Sequence, residues 1–289
     1  MKTNPGNDIK PTTSSLEFGT VYNEKLYLVS KIGGPVVVAD AYSLKEEQRI
    51  PSKSDNDWRA FLGISETKGL LSSSDGIHKI NLETLQIEGK IPEISGQIGD
   101  MERAGDYIFV LSQREGAIIL NATSYEIEKR IPGMDLGFAK TADDNIWVAG
   151  ESQLVKINPN NLETEGIELG FTAYGSWGSW HPGSITASAN AVFIAKNGSF
   201  GGGNEIYRYQ DELASLEEPF ITLPETEVFY GTGLGYNPDT DQLIVRTVRD
   251  GWGENSSFNN LHFYNTNSGN LDKSESYKGY YFPAAPVFH

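Results

Sequence analysis

The chain has 289 residues, with 23 lysines and arginines against 39 aspartates and glutamates, and a formal net charge of −16. Nucleic acids and anionic lipid surfaces require a basic footprint, so this charge excludes both as partners. The chain has no cysteine, which excludes disulfides, thiolate metal sites and a cysteine nucleophile. No apolar run approaches the length of a membrane span, so direct membrane insertion is excluded as well.

Two regions follow one another along the chain. Residues 1–15 form a polar N-terminal segment without the apolar core of a signal peptide. From residue 16 to residue 289, a unit of about forty residues with four short strand-like runs recurs. Three copies end in similar tripeptides, Arg49-Ile50-Pro51, Lys90-Ile91-Pro92 and Arg130-Ile131-Pro132. We therefore expect a single repeat domain over residues 16–289.

Alternation of apolar and polar residues, with aromatic and β-branched enrichment, predicts strands throughout the repeats. Only Asp211 to Glu217 suggests a helix. The first strands begin near Leu16, Arg59, Ile98, Phe138, Gly183 and Gly231. The second strands are predicted at Lys25 to Ser30, Gly69 to Ser73, Tyr107 to Ser112, Asn145 to Ala149, Ala191 to Lys196 and Gln242 to Thr247.

This period, with four strands in each copy, is typical of a β-propeller. The predicted fold is all-β, with four-stranded antiparallel blades arranged as a ring. First strands line the axis of such a ring, so the loops leading into them and the loops from second to third strands share one face. Three of these loops are long, at residues 171–181, 197–204 and 249–260. Insertions concentrated on one face commonly mark the binding side.

Candidate ligand-binding residues lie in these loops and at the axial ends of the first strands. Trp177, Trp180 and His181 form either a stacking platform for a flat or sugar-like ligand or a plug between blades. Arg59 either receives an anionic ligand group or pairs with Asp57 or Glu102. The complete predicted set is Trp58, Arg59, Phe138, Tyr174, Trp177, Trp180, His181, Phe200, Tyr230 and Trp252.

Motifs for catalysis and for cofactors are scarce. The four histidines, His78, His181, His262 and His289, show no spacing to carboxylates that indicates a zinc site, and no Gly-x-Ser-x-Gly elbow occurs. We predict no cofactor, no metal and no catalytic residue. An enzyme, a lyase or hydrolase with His181 as general base, stays open as an alternative.

Several phrases resemble a known family. They are Gly175-Ser176-Trp177-Gly178-Ser179-Trp180, Phe229-Tyr230-Gly231-Thr232-Gly233-Leu234, Asp250-Gly251-Trp252-Gly253 and the closing Tyr280-Tyr281-Phe282-Pro283-Ala284-Ala285-Pro286-Val287-Phe288. These phrases are similar to the Bacteroidetes DUF5074 propellers, within the YncE-like, surface-layer-like group. The resemblance implies seven-bladed lipoproteins of the periplasm or cell surface, related to the propeller that captures vitamin B12 for its outer-membrane transporter.

Six complete blades can be drawn in this sequence, and Tyr281 to Phe288 then forms the first strand of a seventh. The resemblance implies that the remaining strands of that blade come from sequence upstream of Met1, together with a signal peptide and a lipid-anchor cysteine. The function we predict is non-catalytic capture of a small or medium ligand, a corrinoid or a glycan, for uptake by a TonB-dependent transporter. A protein-interaction scaffold is the further alternative.

Overall fold

The computed structural model describes Ile9, residues 16–30, 33–52, 57–175, 183–198 and 202–279, and Val287. These residues form six four-stranded antiparallel sheets, in which the strands pair in chain order from an inner to an outer strand. An all-β propeller with four-stranded blades is confirmed. The described residues contain six blades, and the seventh that the resemblance implies is not among them. No helix in the described residues is long and apolar enough to cross a membrane.

The strand bounds follow the repeats closely. Blade 1 is β1 Leu16–Tyr22, β2 Lys25–Ser30, β3 Val36–Asp40 and β4 Glu46–Ile50; blade 2 is β5 Trp58–Ser65, β6 Lys68–Ser73, β7 Gly76–Asn81 and β8 Ile87–Lys90. Blade 3 is β9 Ile98–Ala104, β10 Tyr107–Ser112, β11 Gly116–Asn121 and β12 Ile127–Ile131; blade 4 is β13 Gly137–Lys140, β14 Ile146–Ala149, β15 Gln153–Ile157 and β16 Thr164–Glu168. Blade 5 is β17 Ile185–Ala187, β18 Val192–Asn197, β19 Gly202–Tyr209 and β20 Ile221–Thr222; blade 6 is β21 Glu227–Asn237, β22 Gln242–Arg249, β23 Phe258–Asn265 and β24 Leu271–Lys278.

Two short 3-10 helices interrupt this pattern, at Leu213–Leu216 and Gly253–Ser257. The first lies within the segment for which the sequence suggested a helix. The second lies in the long loop between β22 and β23.

The turn between third and fourth strands explains why an Asp or Asn recurs in the repeats. In blade 1 the Asp40 carboxylate accepts a hydrogen bond of 2.7 Å from the Ser43 backbone N–H. The Asn81 and Asn121 side chains accept the equivalent bonds at 3.0 Å. Short side chains with an oxygen at this position close a turn on their own backbone. Leu44, the residue after Ser43, has a positive φ of 56°, and there the chain reverses into the outer strand.

Hydrophobic clusters fill the interfaces between successive blades, from blade 1 against blade 2 to blade 5 against blade 6. Among the described residues, no such cluster joins blade 6 to blade 1, and β21 does not approach β1 as the other neighbouring inner strands approach each other. Val287 lies beside β1: its side chain is 2.7 Å from the position that a Cβ on Gly19 would occupy. Among the described residues, the interface between blades 6 and 1 therefore differs from the five others.

Candidate functional site

The predicted loop-rich face is the end of the propeller where inner strands begin and where second strands connect to third strands. The antiparallel order of every blade places these loops at the same end. Blade 6 contributes the loop 250–257, which carries Trp252 and joins β22 to β23. Trp177, Trp180, His181 and Phe200 lie outside the described residues, so their predicted roles stay predictions.

Trp58 and Arg59 begin β5, and the structure engages both within the protein. The Trp58 ring is fully buried and meets His78 edge-on at 5.1 Å between ring centres, while its indole N–H donates to the Pro51 carbonyl at 3.1 Å. The buried Arg59 guanidinium donates to Asp57 and Gln97, each at 3.3 Å. The ion pair with Asp57 is one of the two alternatives that the sequence offered for Arg59.

Phe138 and Tyr174 are also buried. Phe138 packs edge-on against Phe109, with 6.3 Å between ring centres. Tyr174 stacks on Phe229 at 5.9 Å, and its hydroxyl donates to the Gly231 carbonyl at 3.2 Å. Tyr174 thus ties the segment before blade 5 to the inner strand of blade 6, and its contacts are those of a residue that fills the gap between blades.

Tyr230 and Trp252 come together in one sector of the loop-rich face. The Tyr230 hydroxyl bonds the Ser256 side chain in the loop 250–257, and burial raises the pKa of Tyr230. The Trp252 side chain is 81% exposed. Exposed tryptophan surface on an ordered loop is typical of ligand contacts.

An open depression of about 420 Å³ lies at the base of this loop. We call it the blade-6 depression; its lining residues are Thr226, Glu227, Arg249, Phe258, Asn259, Asn260, Ser276, Tyr277 and Lys278. Arg249 and Phe258 are the two residues that bound the loop with Trp252.

Strand register explains why these residues meet. Glu227 of β21 pairs with Arg249 of β22, and Phe258 of β23 pairs with Lys278 of β24. Directly opposed residues project from the same face of a sheet. The four side chains therefore form one row across the end of blade 6, on the side that carries the hydrophobic cluster shared with blade 5.

Two cations in this row stack on one aromatic ring. The Arg249 guanidinium lies 3.8 Å from the centre of the Phe258 ring, and the Lys278 ammonium lies 4.2 Å from it. Lys278 also pairs with Glu254 of the loop at 2.7 Å. Among the described residues, no carboxylate lies within ion-pair distance of Arg249. Stacking fixes the plane of the guanidinium while its N–H groups stay available to a ligand.

Glu227 faces Arg249 across the strands, but its carboxylate bonds elsewhere. It lies 2.6 Å from Nε2 of the buried His262 and also accepts a hydrogen bond from the Thr247 hydroxyl. Nδ1 of His262 in turn lies 2.9 Å from the Ser274 hydroxyl. Although burial alone raises the pKa of Glu227, the bonds from His262 and Thr247 hold it below its ordinary value. Glu227 thus stays ionised, and it pairs with His262 and not with Arg249.

A second hollow follows the propeller axis and opens towards the ends of the inner strands. It measures about 440 Å³, and its lining includes Thr20, Glu102, Phe138 and Lys140. Burial, with the nearby Glu102 charge, raises the pKa of Asp100 to about 7. Burial also raises the pKa of Glu102, against the opposing effect of Lys140. The charged residues that line this channel are Glu102 and Lys140. Within the described ranges, no group of three or more acidic or histidine side chains is placed to hold a metal ion.

The sequence placed the loop with Trp252 and the neighbouring Tyr230 at the binding face, but the complete predicted set does not include Arg249, Phe258 or Lys278. The first two lie at the margins of the predicted long loop, and Lys278 lies on an outer strand. They are found only when β22, β23 and β24 are paired residue by residue. That pairing depends on hairpin register, which a period of two alone does not determine.

Comparisons with solved structures agree with the fold. The chain is similar to the Neurospora crassa Pan2 WD40 domain, with a TM-score of 0.60 and 12% identity over 96% of this chain and 82% of the other. A chain of the mitotic checkpoint complex gives a TM-score of 0.65 and 11% identity over 92% and 80%. The dihydro-heme d1 dehydrogenase NirN gives 0.60 and 12% identity over 91% of this chain, which spans only 57% of NirN. Identities this low show a shared fold alone.

Sequence comparison gives the family. No curated protein sequence matches the chain. The family model described as a domain of unknown function, DUF5074, matches residues 1–289. The chain, a β-propeller of four-stranded blades, therefore belongs to the DUF5074 family.

Proposed function

We propose that this protein is a non-catalytic ligand-binding propeller that holds a small or medium ligand, a corrinoid or a glycan, on its loop-rich face. The observation that carries the proposal is the blade-6 depression, where Arg249, Phe258 and Lys278 form a stacked cationic row beneath the loop that exposes Trp252. Binding sites commonly combine a concave surface, aromatic area and a few directed polar groups. The depression combines all three.

The ordering of the loop supports this proposal. The Asp250 N–H donates to the Thr226 carbonyl at 2.9 Å, and the Asn255 side chain donates to the Asp250 carbonyl at 2.7 Å. Together with the Lys278–Glu254 ion pair, these bonds hold the loop before a ligand arrives. Preorganisation of this kind reduces the entropic cost of binding.

The proposal is tested with Trp252→Ala and a matched control. Tyr42 is 71% exposed in the turn between β3 and β4, at the opposite end of the propeller, and Tyr42→Ala removes a comparable exposed aromatic ring. A thermal-shift screen with a corrinoid, haem and oligosaccharides identifies ligands, and calorimetry then measures their affinity. We expect Trp252→Ala to weaken binding about tenfold or more, since buried tryptophans dominate contact energies. Equal affinities in Trp252→Ala and Tyr42→Ala would show that the ligand binds elsewhere.

The proposal includes delivery of the ligand to a TonB-dependent transporter from the periplasm or cell surface. Support for this step comes from the resemblance to surface propellers alone. A gene for such a transporter beside this one, followed by co-purification of the two proteins, is the test. Localisation of the native protein in the cytosol would contradict it.

A seven-bladed ring is also part of the proposal. Each neighbouring pair of described blades shares a hydrophobic cluster except blades 6 and 1. Propeller blades bury their faces against neighbours on both sides. A seventh blade between blades 6 and 1 would cover the remaining faces. An experimental structure in which blade 6 packs directly on blade 1 would contradict it.

A further inference from the structure

The geometry of the blade-6 depression points to an acidic saccharide as its ligand, and we propose that Arg249 receives the carboxylate of a uronic acid unit there. This inference rests on the proposed function and narrows the ligand class. It depends on three features of the site: a guanidinium that forms no ion pair among the described residues, neighbouring groups suited to hydroxyls, and exposed aromatic surface.

The guanidinium is the first feature. Arg249 is exposed, and its guanidinium stacks on Phe258 at 3.8 Å. A guanidinium fixed in one plane presents paired N–H donors, which match the two oxygens of a carboxylate. Among the described residues, Arg249 forms no ion pair, although its charge acts on the nearby Glu254 carboxylate. Glu227, the acidic residue in the same row, bonds His262 at 2.6 Å.

Lys278 supplies a second positive charge on the same ring. Its ammonium lies 4.2 Å from the centre of Phe258 and 2.7 Å from a Glu254 carboxylate oxygen. The Glu254 pair is exposed, and such pairs exchange readily with other anions because they contribute little stability. The depression therefore offers one fixed cation and one adaptable cation at its rim.

Groups that bond hydroxyls are the second feature. Asn260 and Ser276 line the depression next to the cationic row, and the Ser276 hydroxyl donates to the Asn260 side-chain carbonyl at 2.6 Å. The Asn260 amide also donates to the Glu227 carboxylate, which leaves its second N–H as a donor for a ligand. Sugar hydroxyls both donate and accept, so they suit a neutral amide and a hydroxyl better than an apolar ligand would.

Exposed aromatic surface is the third feature. Trp252 is 81% exposed and lies in the loop 250–257, whose bounding residues Arg249 and Phe258 line the depression. Flat aromatic surfaces next to water suit the apolar face of a sugar ring, which combines C–H groups with peripheral hydroxyls. An acidic sugar thus uses all three features, whereas a neutral sugar leaves the guanidinium without a partner and a simple anion leaves the aromatic surface uncovered.

The test compares two forms of one ligand. Trigalacturonate and its methyl ester share rings and hydroxyls but differ in the carboxylate charge, and calorimetry measures both against wild-type protein, Arg249→Gln and Arg249→Lys. We expect the wild type to prefer the acid about tenfold, Arg249→Gln to lose most of that preference, and Arg249→Lys to keep part of it. Lys25→Gln is the control, because Lys25 pairs with Glu47 at 2.7 Å in blade 1, away from the depression.

The outcomes separate this inference from the proposed function. Equal binding of the acid and the ester by the wild type, or an unchanged preference in Arg249→Gln, overturns the inference. If neither form binds while another ligand of the screen binds and is weakened by Trp252→Ala, the inference fails and the proposed function stands. If sulfate competes as strongly as trigalacturonate, the site recognises an anion and not a sugar, and the inference also fails.

Discussion

Blades 2 and 6 each place a carboxylate beside a histidine near the loop-rich face, and their surroundings differ. In blade 2, Asp75 lies 2.9 Å from Nε2 of His78, and the fully buried Trp58 packs edge-on against the same imidazole. In blade 6, Glu227 bonds His262 at 2.6 Å and also lines the open depression. The first cluster closes a blade interior, and the second forms the wall of a solvent-accessible hollow.

The comparison shows that one local arrangement serves two purposes. In blade 2 the Trp58 ring packs on the buried imidazole of His78, so this cluster contributes to stability. In blade 6 the Trp252 ring is largely exposed, and the Phe258 ring contacts two cations instead of covering the histidine. A binding surface keeps exposed the aromatic and charged groups that a protein core would bury.

The largest expected effect tests the difference between the two tryptophans. Trp58→Ala removes a fully buried ring and its hydrogen bond to Pro51, so we expect a loss of about 3–5 kcal/mol in the free energy of unfolding. Trp252→Ala removes an 81% exposed ring, and we expect a change within about 0.5 kcal/mol. Urea denaturation measures both. Similar losses in the two variants would contradict the division between a closed blade and an open one.

The next effect concerns two serines. The buried Ser72 of blade 2 accepts a hydrogen bond from the Ala60 N–H at 2.9 Å and donates to the Gly99 carbonyl of blade 3 at 2.6 Å. Ser72→Ala leaves the Ala60 N–H unsatisfied in the core, so we expect a loss of about 1–3 kcal/mol. Ser274→Ala in blade 6 removes the bond to Nδ1 of His262, but Ser274 is exposed, so water can replace its hydroxyl and we expect a loss of less than about 1 kcal/mol. A larger loss for Ser274→Ala would overturn this ranking.

These cases show what could be predicted from the sequence. The six predicted second strands lie close to the observed bounds, because alternation and turn chemistry act locally. Trp58 was predicted for the binding face from its position before an inner strand, yet its side chain turns into the cluster between blades 1 and 2. Position along the chain determines the end of the blade, but sheet twist and neighbouring side chains determine which way a residue points.

The site itself was predicted only in part. Tyr230 and Trp252 share a sector of the face because both border the long loop, which the sequence shows as an insertion. Arg249 and Lys278 are 29 residues apart in the chain and meet only through the pairing of three strands. Likewise, the pairing of Arg59 with Gln97 spans two blades. Such contacts depend on register and blade packing, which a single sequence does not specify.

Acid titration sharpens the comparison at blade 2. Burial alone raises the pKa of Asp75. Hydrogen bonds with His78, Ser73 and Lys90 outweigh this effect and hold the pKa below its ordinary value. The stabilisation from ionised Asp75 is therefore complete above pH about 4, the unfolded-state value, and is lost as the pH falls towards the lower folded-state pKa. We expect Asp75→Asn to cost about 1–2 kcal/mol at neutral pH and less at about pH 3.

Asp106→Asn is the control for this titration, because Asp106 is exposed at the end of the β9–β10 hairpin. Urea denaturation at several pH values gives the free energy of unfolding for each variant. A cost of Asp75→Asn that stays constant between neutral and acid pH would show that ionised Asp75 does not stabilise blade 2.

The smallest expected effect lies at the rim of the blade-6 depression. Lys278→Ala removes the exposed 2.7 Å pair with Glu254, so we expect a change in unfolding free energy below about 0.5 kcal/mol. Locally the pair joins β24 to the loop 250–257, and amide hydrogen exchange of that loop should become faster. Lys273→Ala removes a comparable exposed pair with Glu275 on the same strand, at 2.6 Å, without touching the loop. Equal loop exchange in both variants would mean that the Asp250 and Asn255 bonds alone order the loop, whereas faster exchange in Lys278→Ala alone would show that the cation on Phe258 also holds the loop in place.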